Sequence, residues 1–292
     1  MAIHPDAGAL AIQRLGPPDL VELFGFLDRD PALNVYLIAL TLRDALSRPQ
    51  EELWAARRSV EIVALVHLSG PSGAILPLGD DSEALGRLAE HTLLRRPLLP
   101  RRIQVIGALA AVEPIVRRFR AAGVAPRLHR RQVYMTLERG LLPPFERVPE
   151  LRVASAADYP TLFESGARLR AEELDEDPRV GDAAAYARRV DEECRDGSTW
   201  IWMDREGLRF RASVSALTAD AAQIAGVYTP VERRNRGFAR RGLSELCTRL
   251  FDRTRCATLF VNDFNAPAIA LYDKLGFRPI ADWASAFYDA LG

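Results

Sequence analysis

A short loop in the second half of the chain has the composition of an anion-binding site. Residues 227–239 read V-Y-T-P-V-E-R-R-N-R-G-F-A, between an apolar run and a long amphipathic segment. Free N–H groups at a helix start, with the positive end of the helix dipole, attract anions. Gly237 and Ala239 would let a ligand approach the backbone closely. The pattern R-x-x-G-x-A therefore predicts a diphosphate site, although a glycine at this position often marks only a turn.

A second segment that could take part in chemistry is residues 265–277, which read N-x-x-A-x-x-L-Y-x-K-L-G-F. Asn265 can cap a helix, and Gly276 fits its C-terminal end. Leu271 and Leu275 predict the buried face, so Tyr272 is expected to point away from that face. The alternative is a buried ring with a satisfied hydroxyl.

The elements around these segments predict a mixed α+β sheet. Apolar periodicity and turn residues give strand, two helices, three antiparallel strands, helix, strand, helix and two final strands. The predicted strands are 151–155, 199–203, 208–217, 222–228, 258–261, 277–280 and 284–288, and the helices are 157–174, 182–195, 237–254 and 266–275. Because antiparallel strands precede the βαβ crossover, the order excludes a doubly wound Rossmann fold.

The first half repeats this order faintly. Its predicted helices are 19–27, 34–42, 82–94 and 112–122, and its strands are 53–57, 62–68, 74–78, 103–106 and 132–137. A glycine and three prolines within residues 139–150 mark a boundary, which predicts domains at 1–145 and 146–292. A long surface loop inside one domain is the alternative. Where the anion loop would recur, the first half reads L-G-D-D-S-E-A, and its two aspartates would repel a diphosphate.

Composition excludes several classes of function. The 292 residues carry 39 basic and 39 acidic side chains, so the basic excess of a nucleic-acid-binding protein is absent. The three cysteines form no C-x-x-C pair, and all four histidines lie in the first half, which argues against a metal site in the second. Pro5 and Asp6 do not suit a signal peptide, and no apolar stretch reaches about 18–20 residues. We therefore expect a cytoplasmic protein with no membrane and no nucleic-acid partner.

Taken together, the two segments resemble the GNAT superfamily of N-acetyltransferases. The resemblance is specific over residues 225–280, and the element order extends it to 150–292. It implies the GNAT fold, a mixed and mostly antiparallel sheet flanked by helices, for the second half. The first half is similar to a degenerate copy without the loop, as in tandem relatives with one silent domain.

The resemblance also implies acetyl-CoA as co-substrate, with no metal, and a role for each matching residue. Gly226, Val227 and Tyr228 would pair with pantetheine and hold the thioester carbonyl, Asn265 would contact CoA, and Tyr272 would protonate the departing thiolate. The backbone that would bind the diphosphate is that of Arg234, Asn235, Arg236, Gly237, Phe238, Ala239 and Arg240.

The general base and the acceptor stay open at this point. The strand before the loop has no carboxylate, which leaves Asp220 at its start, a water on Gln223, or Glu172 and Glu173. The acidic residues 172–177 would favour a cationic amine, or form only a solvated loop. We expect a small-molecule or peptide amine acceptor and a monomer or homodimer. The alternatives are a non-catalytic acyl-CoA sensor and a longer-chain acyltransferase.

Overall fold

The computed structural model describes residues 10–289 of the chain. Pro5 and Asp6, on which the expectation of no signal peptide rests, lie outside these residues. The strands are β1 (Leu10–Arg14), β2 (Glu51–Arg58), β3 (Glu61–Ser69), β4 (Ala74–Gly79), β5 (Ile103–Ala108), β6 (Leu128–Glu138), β7 (Arg152–Val153), β8 (Thr199–Asp204), β9 (Gly207–Leu217), β10 (Ala221–Tyr228), β11 (Cys256–Asn262) and β12 (Arg278–Tyr288). The helices are α1 (Leu20–Leu27), α2 (Val35–Asp44), α3 (Ser82–Arg95), α4 (Leu109–Ala121), α5 (Tyr159–Leu174), α6 (Pro178–Gly181), α7 (Ala183–Asp196), α8 (Phe238–Leu250) and α9 (Ala266–Lys274).

The first of two compact units comprises residues 10–134, 260–265 and 279–289. Its strands pair in the order β1, β2, β3, β4, β5 and β12, and only the β4–β5 pair among these is parallel. Side chains of β2 and β3 alternate between two apolar clusters, as strand geometry requires. One cluster packs against α1 and α2, and the other packs against α3 and α4. Helices therefore cover both faces of this sheet.

The second unit comprises residues 135–259 and 266–278. Strands β7, β8, β9 and β10 pair antiparallel in that order, and β10 pairs parallel with β11. Neighbouring residues of β9 show which helix covers which face. Phe210 lies so close to Gly242 of α8 that a Cβ atom would not fit there, whereas Arg211 donates to the Leu162 carbonyl of α5 at 3.1 Å. Because successive strand residues point to opposite faces, α8 and α5 lie on opposite sides.

The same element order occurs twice along the chain. A strand, two helices, three antiparallel strands, a helix, a strand parallel to the third, a helix and a final strand run from β1 to β6 and again from β7 to β12, with short α6 added. The last strand does not stay with its own series, since Trp283 to Tyr288 of β12 pair with β5 of the first unit. The compact units are therefore interleaved, and the linear division at 145/146 stays a prediction.

The structure corrects several predicted elements. The two final strands at 277–280 and 284–288 are one continuous strand, β12, because Asp282 points to solvent and needs no turn. Strand β1 and helix α6 are not predicted by the sequence patterns. Asp182 does cap α7, accepting from the Ala185 N–H at 2.9 Å, and Gly197 ends that helix with a φ of 63°, as predicted.

Candidate functional site

Strands β10 and β11 pair over only three residue positions. The parallel register joins Ala221 to Cys256 and ends at Gln223 with Thr258, although β10 continues to Tyr228. The pairing of β10 with β9 is also irregular between Ala225 and Tyr228, and Gly226 has a φ of 60°. Residues 225–227 are half-buried, whereas residues 221–224 are buried. The β10 backbone therefore becomes available to a ligand where the two strands part.

The loop that follows β10 offers a row of free donors. Among the described residues, no acceptor bonds the backbone N–H groups of residues 235–240, and the first helical bond nearby runs from Arg241 N–H to Gly237 O at 3.0 Å. The predicted row began one residue earlier. Arg234 does not belong to it, because its N–H already donates to Val231 O at 3.2 Å. The donors lie at the start of α8, where the helix dipole favours an anion.

Two left-handed residues shape this row. Asn235 has a φ of 61° and Gly237, the residue before α8, has a φ of 79°. Residues of alternating hand turn successive N–H groups toward one concave side, an arrangement that binds phosphate in other proteins. A Cβ atom on Gly237 would have none of the described residues' atoms within 4 Å, so the space beside it is open to a ligand. The loop geometry thus fits the predicted diphosphate site.

The five arginines around the loop are not equivalent. Arg233 pairs with Glu206 at 2.9 Å and Arg241 pairs with Glu146 at 3.0 Å. Arg236 lies over the Phe238 ring, and neither it nor Arg240 has a carboxylate partner among residues 10–289. Arg236 and Arg240 therefore supply the uncompensated positive charge beside the free N–H groups.

Arg234 points away from the donor row. Its guanidinium forms two bonds to the Glu172 carboxylate, at 2.9 and 2.7 Å, and its Nε donates to Thr229 O at 3.1 Å. It also lies over the ring of Tyr228, 5.8 Å from the centroid. The Tyr228 side chain is buried, and its hydroxyl has no hydrogen-bond partner in the part of the chain that the structure describes. Arg234 thus ties the loop to the C-terminal end of α5, a contact that sequence analysis did not anticipate.

Tyr272 does not point away from the core, as the helix pattern predicted. It is the buried residue of α9, at 6% exposure, while Leu271 is only half-buried. Its ring packs near Phe277, with centroids 5.8 Å apart, and its hydroxyl has no hydrogen-bond partner among the described residues. Burial raises the pKa of Tyr272 above its usual value, and the Glu173 carboxylate raises it further. The phenol is therefore neutral near pH 7.

Glu173 is the carboxylate that acts electrostatically on Tyr272. Surrounding protein raises the pKa of Glu173 to about 7, with a further increase from Glu172 and an opposing effect of Arg170. The Glu173 side chain is nevertheless exposed to solvent. One helical turn earlier, Leu169 of α5 approaches the space above Gly226, with Cδ2 3.5 Å from a Cβ position there. The i, i+4 spacing of Leu169 and Glu173 places both on the α5 side facing β10.

Two other candidates for the base lie elsewhere. Asp220 precedes β10 at the end opposite the loop, roughly 25 Å from Tyr228 at strand rise. It pairs with Arg255 at 3.3 Å, and its carbonyl accepts from the Cys256 N–H. Gln223 is buried, and its Oε1 accepts from the Ser215 hydroxyl at 3.0 Å. The structure does not bring Asp220 or Gln223 to the loop.

The acidic turn after α5 is partly neutralised. Glu172 is engaged by Arg234, and Asp177 pairs with Arg179 at 2.6 Å. The predicted attraction of a cationic amine by this turn stays a prediction. Asn265 lies just before α9, where its N–H donates to Asn262 O at 2.9 Å, and its predicted contact with CoA also stays a prediction.

The corresponding loop of the first unit differs from the loop of the second. At the start of α3, the Asp81 carboxylate accepts from the Ala84 N–H at 2.9 Å and from Arg58 at 3.0 Å, so a protein carboxylate already occupies the anion position. Strands β4 and β5 stay close, since a Cβ on Gly107 would lie 2.9 Å from Pro77 O. The side-chain cap thus takes the place of free donors in this loop, while β4 and β5 pair over only two positions, and the predicted silence of the first half stays a prediction.

The comparisons with known proteins agree with this architecture. Residues 207–287 match the family model of FR47-like protein. No curated protein matches the chain. A GCN5-related N-acetyltransferase from Sphaerobacter thermophilus is similar in structure, with a TM-score of 0.61, 18% identity, and coverage of 99% of this chain and 98% of that one. A tandem GNAT protein from the clavulanic acid biosynthesis pathway has a TM-score of 0.55 and 15% identity, and the match covers 97% of this chain and 99% of that one. A GNAT acetyltransferase from Colwellia psychrerythraea has a TM-score of 0.56 and 10% identity, and the match covers 96% of this chain and 100% of that one.

These comparisons confirm the predicted resemblance and the predicted fold class. The chain has the GNAT fold, and a tandem protein of that kind is among the structures that are similar to it. None of the helices formed by residues 10–289 is both long and apolar enough to cross a bilayer.

Proposed function

We propose that this GNAT-fold chain is an N-acetyltransferase that moves an acetyl group from acetyl-CoA to a primary amine. The observation that supports it best is the coincidence of two features in the second unit. The β10 backbone is released from β11 after Gln223, and the free N–H groups of residues 235–240 follow directly at the start of α8. An acyl-CoA needs both, since its pantetheine arm is an extended amide chain and its diphosphate is an anion.

The donor would lie along β10 with its diphosphate on the loop. Amide groups of pantetheine would pair with the β10 backbone at residues 225–228, in the manner of an added strand. The N–H groups of residues 235–240 would bind the diphosphate oxygens, and Arg236 and Arg240 would add positive charge. The irregular backbone at Gly226 would hold the thioester carbonyl and polarise it.

The reaction is direct attack of the amine on the thioester. The nitrogen lone pair forms a bond to the carbonyl carbon, and the C–S bond then breaks. The amine loses one proton, and the CoA thiolate gains one. Two groups must therefore handle protons, one as a base and one as an acid.

Glu173 is our candidate for the base. A carboxyl whose pKa is raised to about 7 can accept a proton near neutral pH more readily than an ordinary glutamate. Its open position leaves room for an amine or for one bridging water. The raised value results mainly from the surrounding protein and secondly from Glu172.

Tyr272 is our candidate for the acid. Its side chain is buried, its phenol is neutral, and its hydroxyl has no hydrogen-bond partner within residues 10–289, so it can donate to a thiolate that forms nearby. The electrostatic effect of Glu173 on Tyr272 supports assigning the two groups to one reacting centre. The base and the acid then exchange one proton per turnover through solvent.

The test is an assay of thiol release from acetyl-CoA with a panel of small amines, amino acids and lysine-containing peptides. We expect turnover with at least one amine, and a Tyr272→Phe variant that loses roughly 10²–10⁴-fold in kcat with unchanged CoA affinity. Tyr159→Phe is the matched control, because Tyr159 begins α5 and lies about 20 Å along the helix from Glu173. Saturable CoA binding without turnover on any amine would favour the sensor alternative instead.

A further inference from the structure

The C-terminal end of α5 carries two adjacent carboxylates with different surroundings. Glu172 forms the two bonds to Arg234, whereas Glu173 is exposed and its carboxylate raises the pKa of Tyr272. The ion pair is exposed on both sides, at 41% for Arg234 and 40% for Glu172. Exposed pairs of this kind contribute little to stability. A competing anion can therefore displace Glu172 from Arg234 at low cost.

Arg234 is positioned to respond to such an anion. It directly precedes the donor row at residues 235–240, and its Nε bond to Thr229 O keeps the base of its side chain on the loop. A diphosphate can accept two hydrogen bonds from the guanidinium, as a carboxylate does, and it carries more negative charge. The side chain can thus change partner without the loop changing its path.

We propose that the Glu172–Arg234 ion pair couples the loop to the base, so that a diphosphate on the loop draws Arg234 away and leaves Glu172 charged beside Glu173, which becomes a stronger base. This coupling rests on the proposed function, which assigns Glu173 as the base. It adds that binding of the acyl-CoA donor regulates the strength of that base. Glu172 and Arg234 are positioning residues, since neither contacts the reacting atoms.

The charges that face Glu173 support this coupling. The charged groups are Glu172 and Arg170 of α5, and the neutral phenol of Tyr272 is the titratable group of α9. Glu172 raises the pKa of Glu173 and Arg170 lowers it. Arg234 partly neutralises Glu172 in this structure, so the departure of Arg234 would strengthen the effect of Glu172 on the pKa of Glu173. At a separation of one residue in partly solvated surroundings, the expected change is roughly half a unit to one unit.

The coupling can be measured without any acceptor. The full-length chain is labelled with ¹³C at the glutamate carboxyl, Glu173 is assigned with a Glu173→Gln variant, and its titration is followed by NMR. In the free protein, Glu172→Gln should lower the pKa of Glu173 and Arg234→Met should raise it, each by roughly half a unit to one unit. Glu164→Gln is the matched control, since Glu164 pairs with Arg168 and Arg179 on the same helix and should leave it unchanged.

Addition of CoA separates the coupling from simple exclusion of water. CoA should raise the pKa of Glu173 in the wild type by more than in Glu172→Gln or Arg234→Met, because exclusion of water acts in all three. Equal values in the wild type and both variants, with and without CoA, would overturn the proposal. A chain that binds CoA but acetylates no amine would fail the proposed function and still give these shifts, so the two failures are distinguishable.

Discussion

Replacement of Gly237 by alanine separates the loop's binding role from its contribution to stability. Gly237 has a φ of 79°, and a Cβ atom there would meet no protein atom. The cost of alanine in the folded chain is therefore only backbone strain, about 1–2 kcal/mol for a left-handed residue. For a unit of this size, that corresponds to a fall of roughly 2–8 °C in Tm.

The effect on binding should be larger. If the loop relaxes the strain by rotating Gly237, its N–H and a neighbouring N–H no longer point at the diphosphate. Two charge-assisted hydrogen bonds lost, at the lower limit of about 1.5 kcal/mol each, amount to roughly 3 kcal/mol. CoA affinity should then fall roughly 100-fold.

The assay is isothermal titration calorimetry with CoA, together with thermal unfolding without ligand. Gly140→Ala is the matched control, because Gly140 also has a positive φ, of 94°, with open space around it. It adjoins Arg139, whose N–H donates to Arg255 O just before β11, at the end away from the loop. We expect a similar fall in Tm and unchanged CoA affinity for Gly140→Ala. If Gly237→Ala binds CoA as the wild type does, or Gly140→Ala is weakened equally, the reasoning is refuted.

Three further predictions concern neighbouring groups. Glu245 of α8 is buried and bonded by Arg147, the Val148 N–H and Arg249, which lowers its pKa to about 2. Its stabilising effect is therefore present above about pH 4.5 and lost as the pH falls toward 2, so Glu245→Gln should lower the unfolding free energy by about 2–3 kcal/mol at pH 7 and by much less at pH 3, measured by urea unfolding. The raised pKa of Glu173 affects stability in the opposite direction, because ionisation of this carboxyl at high pH destabilises the folded chain. Glu173→Gln should therefore have a higher Tm than the wild type at pH 8 and the same Tm at pH 4.5; a lower Tm at pH 8 would contradict this. Leu169→Ala should open the space near Gly226 and improve the use of butyryl-CoA relative to acetyl-CoA roughly tenfold, and an unchanged ratio would remove Leu169 from donor selection.

Local sequence patterns were sufficient for most of the fold. Periodicity and capping residues predicted α7 with its Asp182 cap and the helix after the loop, because these signals depend on near neighbours. They failed at β12, where a strand passes through a polar position without turning. They also could not show that β12 joins the sheet of the first unit, since strand partners depend on contacts distant in sequence.

The site was predictable only in part for the same reason. The donor row was predicted from a glycine and a helix start. The predicted orientation of Tyr272 was wrong, because the buried face of the helix was assigned from the leucines and not from the aromatic ring. The Glu172–Arg234 pair joins residues far apart in sequence, and no local pattern indicates it. The spacing of Leu169 and Glu173 could have indicated which carboxylate faces β10.

The main-chain N–H groups of residues 235–240 give the most direct measurement. A ¹⁵N-resolved NMR titration of the full chain with CoA reports each of them separately, and those of residues 82–85 at the start of α3 serve as an internal reference. The account predicts large, saturable shifts at 235–240 and none at 82–85, where Asp81 already accepts from Ala84. Shifts spread evenly over the chain, or an unchanged spectrum at millimolar CoA, would contradict it.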